Sequence, residues 1–170
     1  MSPVIVPLIL SGGQSKRLWP FTRLSAQTVP AADGTNQLFQ QTLERVSSRN
    51  YAPPVVITNM DYRFIVGEKA ADSGIELAAV LLEPIARNTA LAIAASATYI
   101  QQRFGPDALI HVLPSDHRVT TNEGYWLAIQ QAAAAATAGQ LVTFGIEPTH
   151  PGTAFGYVKS DAALEPVRVP

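Results

Sequence analysis

Val4-Ile5-Val6-Pro7-Leu8-Ile9-Leu10-Ser11-Gly12-Gly13, residues 4–13, decides how the fold is read. Its first seven residues are apolar without alternation, which is the pattern of a strand covered on both faces. Such strands belong to parallel sheets under helices. Pro7 has no N–H to give to a ladder, so the strand needs a bulge or a late start there. The run is too short to cross a bilayer, and no basic residue precedes it as in a signal peptide.

Working outward, apolar runs alternate with helical patterns. Phe39, Leu43 and Val46 fall on one face at i, i+4 and i+7, which predicts a helix over 38–48. Residues 54–58 form a second strand, and 61–72 a helix with Asp61 as its N-cap. A third strand covers 77–82. A long Ala-rich helix over 88–104 is stopped by Gly105-Pro106. A fourth strand covers 108–113. The next helix spans 123–138 and ends at Gly139, and a fifth strand covers 141–145. The Ala132–Ala136 tract reads as helix propensity with close packing. Short strands separated by helices predict an α/β fold, Rossmann-like, with a mostly parallel sheet and helices on both faces. In such sheets ligands sit beyond the carboxyl ends of the strands.

Composition fits. The chain has 170 residues, 47% of them hydrophobic and 15% charged, with a net charge of −1. That is a globular composition. It gives no electrostatic reason to capture nucleic acid or an anionic membrane. The absence of cysteine excludes disulfides, thiolate metal sites and cysteine nucleophiles. A cytoplasmic protein without membrane or nucleic-acid partners is the expectation.

Four segments carry chemistry, and each follows a strand. In Ser11-Gly12-Gly13-Gln14-Ser15-Lys16-Arg17-Leu18-Trp19-Pro20, Gly12 and Gly13 let the backbone approach a ligand. Lys16 and Arg17 add positive charge, which suits a phosphate chain; a plain tight turn explains the glycines equally well. In Glu83-Pro84-Ile85-Ala86-Arg87-Asn88-Thr89, Glu83 can accept two hydrogen bonds from a guanine or amide edge, or form an exposed ion pair. Asn88 or Thr89 can cap the following helix. In Leu113-Pro114-Ser115-Asp116-His117, Asp116 is the best metal-ligand candidate, since Mg²⁺ takes one or two carboxylates plus phosphate oxygens. An Asx-turn is the plainer use of that residue, and His117 is read as structural. In the segment 145–158, Gly152, Thr153 and Gly156 can bring backbone near a sugar, or simply make a long connection.

Together these segments resemble the sugar-phosphate nucleotidyltransferases, and most of all the mannose-1-phosphate guanylyltransferases, including the bifunctional form with a phosphomannose isomerase domain. The resemblance rests on L-S-G-G-x-x-x-R-L-W-P (10–20), L-F-Q-Q-T-L-E-R-V (38–46), E-P-x-x-R-N-T-A (83–90), V-L-P-S-D-H (112–117) and F-G-I-x-P-T-x-P-x-T (144–153). It implies a nucleotide-diphospho-sugar transferase fold. It also implies a Mg²⁺-dependent reaction of mannose 1-phosphate with GTP, giving GDP-mannose and pyrophosphate. By motif position, Arg17 would be catalytic. Gly12, Gly13 and Lys16 would lie along the GTP phosphates. Glu83 would read the base, with Arg87, Asn88 and Thr89 around the nucleotide. Asp116 would bind Mg²⁺, and Gly145, Thr153 and Gly156 would approach the sugar.

Departures from the pattern carry weight. Ser15 stands where the family has a third glycine. Ser25-Ala26 precede Gln27-Thr28-Val29-Pro30, where the family has a proline–lysine pair, and no lysine lies between Lys16 and Lys69. Leu91 replaces a proline. The segment Pro151-Gly152-Thr153-Ala154-Phe155-Gly156 lacks the family's glutamate and one glycine.

The resemblance further implies a truncated domain. Residues 1–170 would be the nucleotide-binding half, without the sugar-binding half or any isomerase domain. A second copy or another chain would then supply the rest. The leading expectation is a guanylyltransferase with weak or lost activity. The alternatives are a non-catalytic module that binds nucleotide or a partner, and a structural dimerisation module.

Overall fold

The computed structural model describes residues 3–12, 38–47, 50–85, 89–146, 148, 150–153, 156, 157 and 159. Gly13, Lys16, Arg17, Ala26, Arg87 and Asn88 lie outside the described residues. The chain divides into two compact units, Met1–Thr120 and Thr121–Pro170.

The first unit is a four-stranded, all-parallel sheet. β1 (Ile5–Leu10) is followed by α1 (Leu38–Arg45), β2 (Val55–Asn59), a 3-10 turn (Met60–Tyr62) and α2 (Arg63–Asp72). β3 (Ala79–Glu83), α3 (Thr89–Phe104) and β4 (Leu109–Pro114) complete it. The spatial order is β3-β2-β1-β4. The chain thus moves outward from β1 through β2 to β3, then returns to β1's other side for β4. Right-handed crossovers running in opposite directions from β1 put their helices on opposite faces of the sheet.

Two hydrophobic clusters follow from that. On one face Ile9, Val56 and Leu113 meet Phe39, Leu43 and Val46 of the α1 segment and Val66 and Ala70 of α2. On the other, Val6, Leu8, Val55 and Ile57 meet Ala92 and Ile100 of α3. Neighbouring residues of β1 serve opposite faces, so its sequence is apolar without alternation. The helical pattern read from Phe39, Leu43 and Val46 is confirmed: all three are at most 1% exposed. Burying a side chain of that size contributes about 1.5–3 kcal/mol.

The irregularity at Pro7 is resolved by a one-sided late start. The ladder to β4 runs unbroken from Ile5↔Leu109 to Leu10↔Pro114, through Pro7↔His111. The ladder to β2 begins only at Leu8↔Val55. Residues of a parallel strand turn their polar groups to alternate neighbours. The Ile5 carbonyl accepts from Ala52 N–H at 2.9 Å, so Pro7, two residues on, turns the same way. Its missing donor therefore falls on the β2 side, before the ladder to β2 begins at Leu8↔Val55.

Two expectations are corrected. Asp61 is not the cap of the second helix: Asn59 Oδ1 accepts the Asp61 N–H at 3.0 Å and caps a 3-10 turn that leads into α2. Residues 141–145 form no strand, and Leu141 is fully exposed. A strand exists only by pairing, and an apolar run does not name its partner.

In the second unit, α4 (Glu123–Thr137) is capped by Asn122, whose Oδ1 accepts the Tyr125 N–H at 2.9 Å. Gly105 and Gly139 end α3 and α4 with φ of +97° and +85°, as their place after each helix predicts.

Candidate functional site

All four strands run the same way, so their carboxyl ends share one edge. From one side to the other that edge presents Glu83, Asn59, Ser11-Gly12 and Ser115-Asp116. β1 and β4 diverge in connectivity at this edge, which is where ligands enter open α/β sheets. Gly12 and Asp116 each stand two residues beyond the paired residues Leu10 and Pro114.

Backbone bonds extend the sheet past its last side-chain pair. Ser11 N–H donates to the Ile57 carbonyl at 2.8 Å, and Ser115 N–H donates to the Leu10 carbonyl at 3.1 Å. The Thr58 hydroxyl, fully buried, donates to the Ser11 carbonyl at 2.9 Å. Ser11 is therefore held to β2 through both its N–H and its C=O. Neither Thr58 nor Asn59 was marked by the sequence patterns, because their importance depends on which strand lies beside β1.

Gly12 has a spatial reason to be glycine. A Cβ built there meets Glu83 Oε2 at 2.5 Å, with Asn59 N at 3.9 Å. Gly12 is not among the glycines of positive φ. Close approach, rather than a left-handed backbone, accounts for it. Glu83 on the outer strand β3 thus reaches across the end of β2 to the residue after β1. Two residues predicted separately are brought together.

Asp116 carries a carboxylate with 30% of its side chain exposed, and its Oδ1 lies 3.9 Å from His117 Nε2. Among the described residues no three His, Asp or Glu side chains cluster as a ready metal cage. Thr89 is the first residue of α3, within the helix rather than its cap. Gly145, Thr153 and Gly156 belong to the second unit and are exposed. A Cβ on Gly145 or Gly156 meets nothing within 4 Å. In the same loop the Tyr157 hydroxyl accepts the Gly152 N–H at 2.7 Å and donates to the Gly152 carbonyl at 3.1 Å, closing it on itself.

A second polar group lies within the sheet. His111 of β4 shares a 2.8 Å hydrogen bond through Nδ1 with the Tyr51 hydroxyl, and the rings stack at 5.8 Å. The Arg45 guanidinium, buried at the end of α1, donates to Thr42 Oγ1 at 2.8 Å. Burial, and then the Arg45 charge, push the His111 pKa down to about 4. The signal was present in the sequence as a lone histidine inside an apolar strand.

The nucleotidyl transferase family model matches residues 6–169. A mannose-1-phosphate guanylyltransferase from Sinorhizobium fredii is 47% identical over 166 residues, which cover 96% of this chain and 32% of that protein. The alginate biosynthesis protein AlgA of Pseudomonas fluorescens is 41% identical, over 92% of this chain and 32% of its own length. Among solved structures, a mannose-6-phosphate isomerase from Helicobacter pylori aligns with a TM-score of 0.71 and 27% identity, covering 89% of this chain and 54% of its own. A Thermus thermophilus structure titled mannose-1-phosphate geranyltransferase aligns at 0.62 with 28% identity, covering 80% and 38%. The chain spans about a third of the length of these curated relatives. No helix among the described residues is long and apolar enough to cross a membrane.

Proposed function

Because the chain belongs to the nucleotidyl transferase family, we propose that its strand-end edge binds GTP, whose guanylyl group is transferred to mannose 1-phosphate. The products are GDP-mannose and pyrophosphate. The observation that carries this reading is the packing of Gly12 against Glu83 beside the β1–β4 divergence.

Glu83 presents an acceptor-only carboxylate, which matches the adjacent N–H donors of a guanine edge. A carboxylate repels phosphate, so Gly12, which its motif position places along the phosphates, is reassigned in this reading to the nucleoside on the Glu83 side. By motif position, Gly13, Lys16 and Arg17 hold the triphosphate. By motif position, Arg87, Asn88 and Thr89 contribute to nucleotide binding.

The bond made joins a phosphate oxygen of mannose 1-phosphate to the α-phosphorus of GTP. The bond broken joins that phosphorus to the oxygen bridging to the β-phosphate, and pyrophosphate leaves with its electron pair. Alignment and charge neutralisation supply the acceleration. Arg17 offsets charge on the phosphates.

The part-exposed carboxylate of Asp116 fits Mg²⁺, which asks for one or two carboxylates and fills its shell with phosphate oxygens and water. When bound, the ion neutralises phosphate charge.

Turnover is slow in this reading, because Ala26 stands where the family places a lysine. Titration calorimetry with GTP and GDP-mannose in Mg²⁺, beside a GDP-mannose formation assay, tests it. Binding with turnover well below 1 per second is the expected result. Absence of binding to both nucleotides removes the reading.

A further inference from the structure

We propose that Thr58 is a positioning residue for the nucleotide site. Its buried hydroxyl sets the direction in which the chain leaves β1, and so places the Gly12 backbone against Glu83. This rests on the nucleotide-binding reading above.

Thr58 lies on β2, between β1 and β3, and is fully buried. The hydroxyl donates a 2.9 Å hydrogen bond to the Ser11 carbonyl. Ser11 is 1% exposed, and its N–H is already held by the Ile57 carbonyl at 2.8 Å. The ladder alone fixes one half of the Ser11 peptide environment. The carbonyl half belongs to the peptide plane shared with Gly12, because the Ser11 C=O and the Gly12 N–H are parts of one rigid unit. Holding that oxygen therefore orients the Gly12 N–H.

The need for such a tie is physical. Gly12 carries no side chain to lock its own torsions, and its φ and ψ are the freest in the segment. Meanwhile Glu83 Oε2 sits where a Cβ of Gly12 would be. A tie from the strand between them gives the close approach a fixed geometry without filling the space. Serine keeps the hydroxyl; valine keeps the shape and removes the donor, leaving a buried carbonyl short of one partner.

The test uses the 170-residue chain as wild type, Thr58→Ser, Thr58→Val and Thr58→Ala. Calorimetry with GTP and Mg²⁺ is paired with amide hydrogen exchange of the nucleotide-free proteins. T58V is expected to weaken GTP about tenfold and to speed exchange at Gly12 by a similar factor, which is what loss of one buried hydrogen bond gives. Exchange at Ile9 and Ile57 stays as in wild type, and T58S restores both readouts. T58A, which folds even if the valine methyl is not accommodated, changes them in the same direction. A merely structural role would lower thermal stability and raise exchange along the whole of β2, leaving the affinity of the folded protein unchanged. Unchanged Gly12 exchange in T58V and T58A overturns the proposal, with or without nucleotide binding. Faster Gly12 exchange with unchanged GTP affinity also overturns it. Failure of wild type to bind GTP, with Gly12 exchange still dependent on Thr58, instead overturns the nucleotide reading.

Discussion

Glu83 occupies the space that a side chain at position 12 would need: Oε2 lies 2.5 Å from the ideal Cβ of Gly12. The atom in the way is the far end of a flexible side chain, so adding a methyl group displaces the carboxylate rather than the backbone. Gly12→Ala is therefore expected to cost less than about 1.5 kcal/mol in stability while weakening GTP about tenfold. In a double-mutant cycle G12A has little effect once Glu83→Ala is present, because both changes act on one contact. Urea denaturation and calorimetry check both parts. Additive losses contradict the shared contact.

Asp116 stands across the β1–β4 divergence with a part-exposed carboxylate. In wild type, Mg²⁺ is expected to tighten GTP binding at least about tenfold over chelator. Asp116→Asn should abolish most of that difference while leaving metal-free binding within about twofold. A D116N protein that keeps the full Mg²⁺ dependence places the metal elsewhere.

His111 links folding to pH. Its folded pKa of about 4 is below the unfolded value of about 6.5, so the unfolded chain binds the extra proton in between. The stabilisation is complete above about pH 6.5 and is lost as pH falls toward 4. Between pH 7 and 5 this amounts to about 2 kcal/mol. Urea titrations at the two pH values should show it in wild type, and His111→Gln should remove most of it. An unchanged slope in H111Q assigns the effect to other groups.

Ala26 is a sequence-based target. If the missing lysine limits catalysis through phosphate charge, Ala26→Lys raises GDP-mannose formation by about 30-fold or more, the effect of about 2 kcal/mol or more in the transition state. The measurement is product formation at saturating substrates. A rate equal to wild type shows that a lysine at this position does not restore the contact.

Much of the fold was legible because burial and periodicity coincide. β1 is covered on both faces and reads as an unbroken apolar run; Phe39, Leu43 and Val46 face the sheet and read as one helical stripe. What escaped depends on neighbours in space. Asn59 took the capping role expected of Asp61 because its side chain reaches the N–H two residues on. The segment 141–145 has strand composition but no strand. Glu83 and Asp116 were recognisable as residues at strand ends. That Glu83 meets Gly12, and that Thr58 holds Ser11, follows from the order β3-β2-β1, which no local pattern encodes. The Tyr51–His111 pair joins residues far apart in the chain for the same reason.

The central position of β1 has a consequence for biosynthesis. Among the strands described, β1 is synthesised before the two that flank it, and its partner β4 follows about a hundred residues later. Until then an apolar segment with an unpaired edge persists in the nascent chain, where it can join other strands. The order of strands that builds the binding edge thus makes the chain depend on protection of β1 during synthesis. Slowing translation before Leu109 lengthens that exposure.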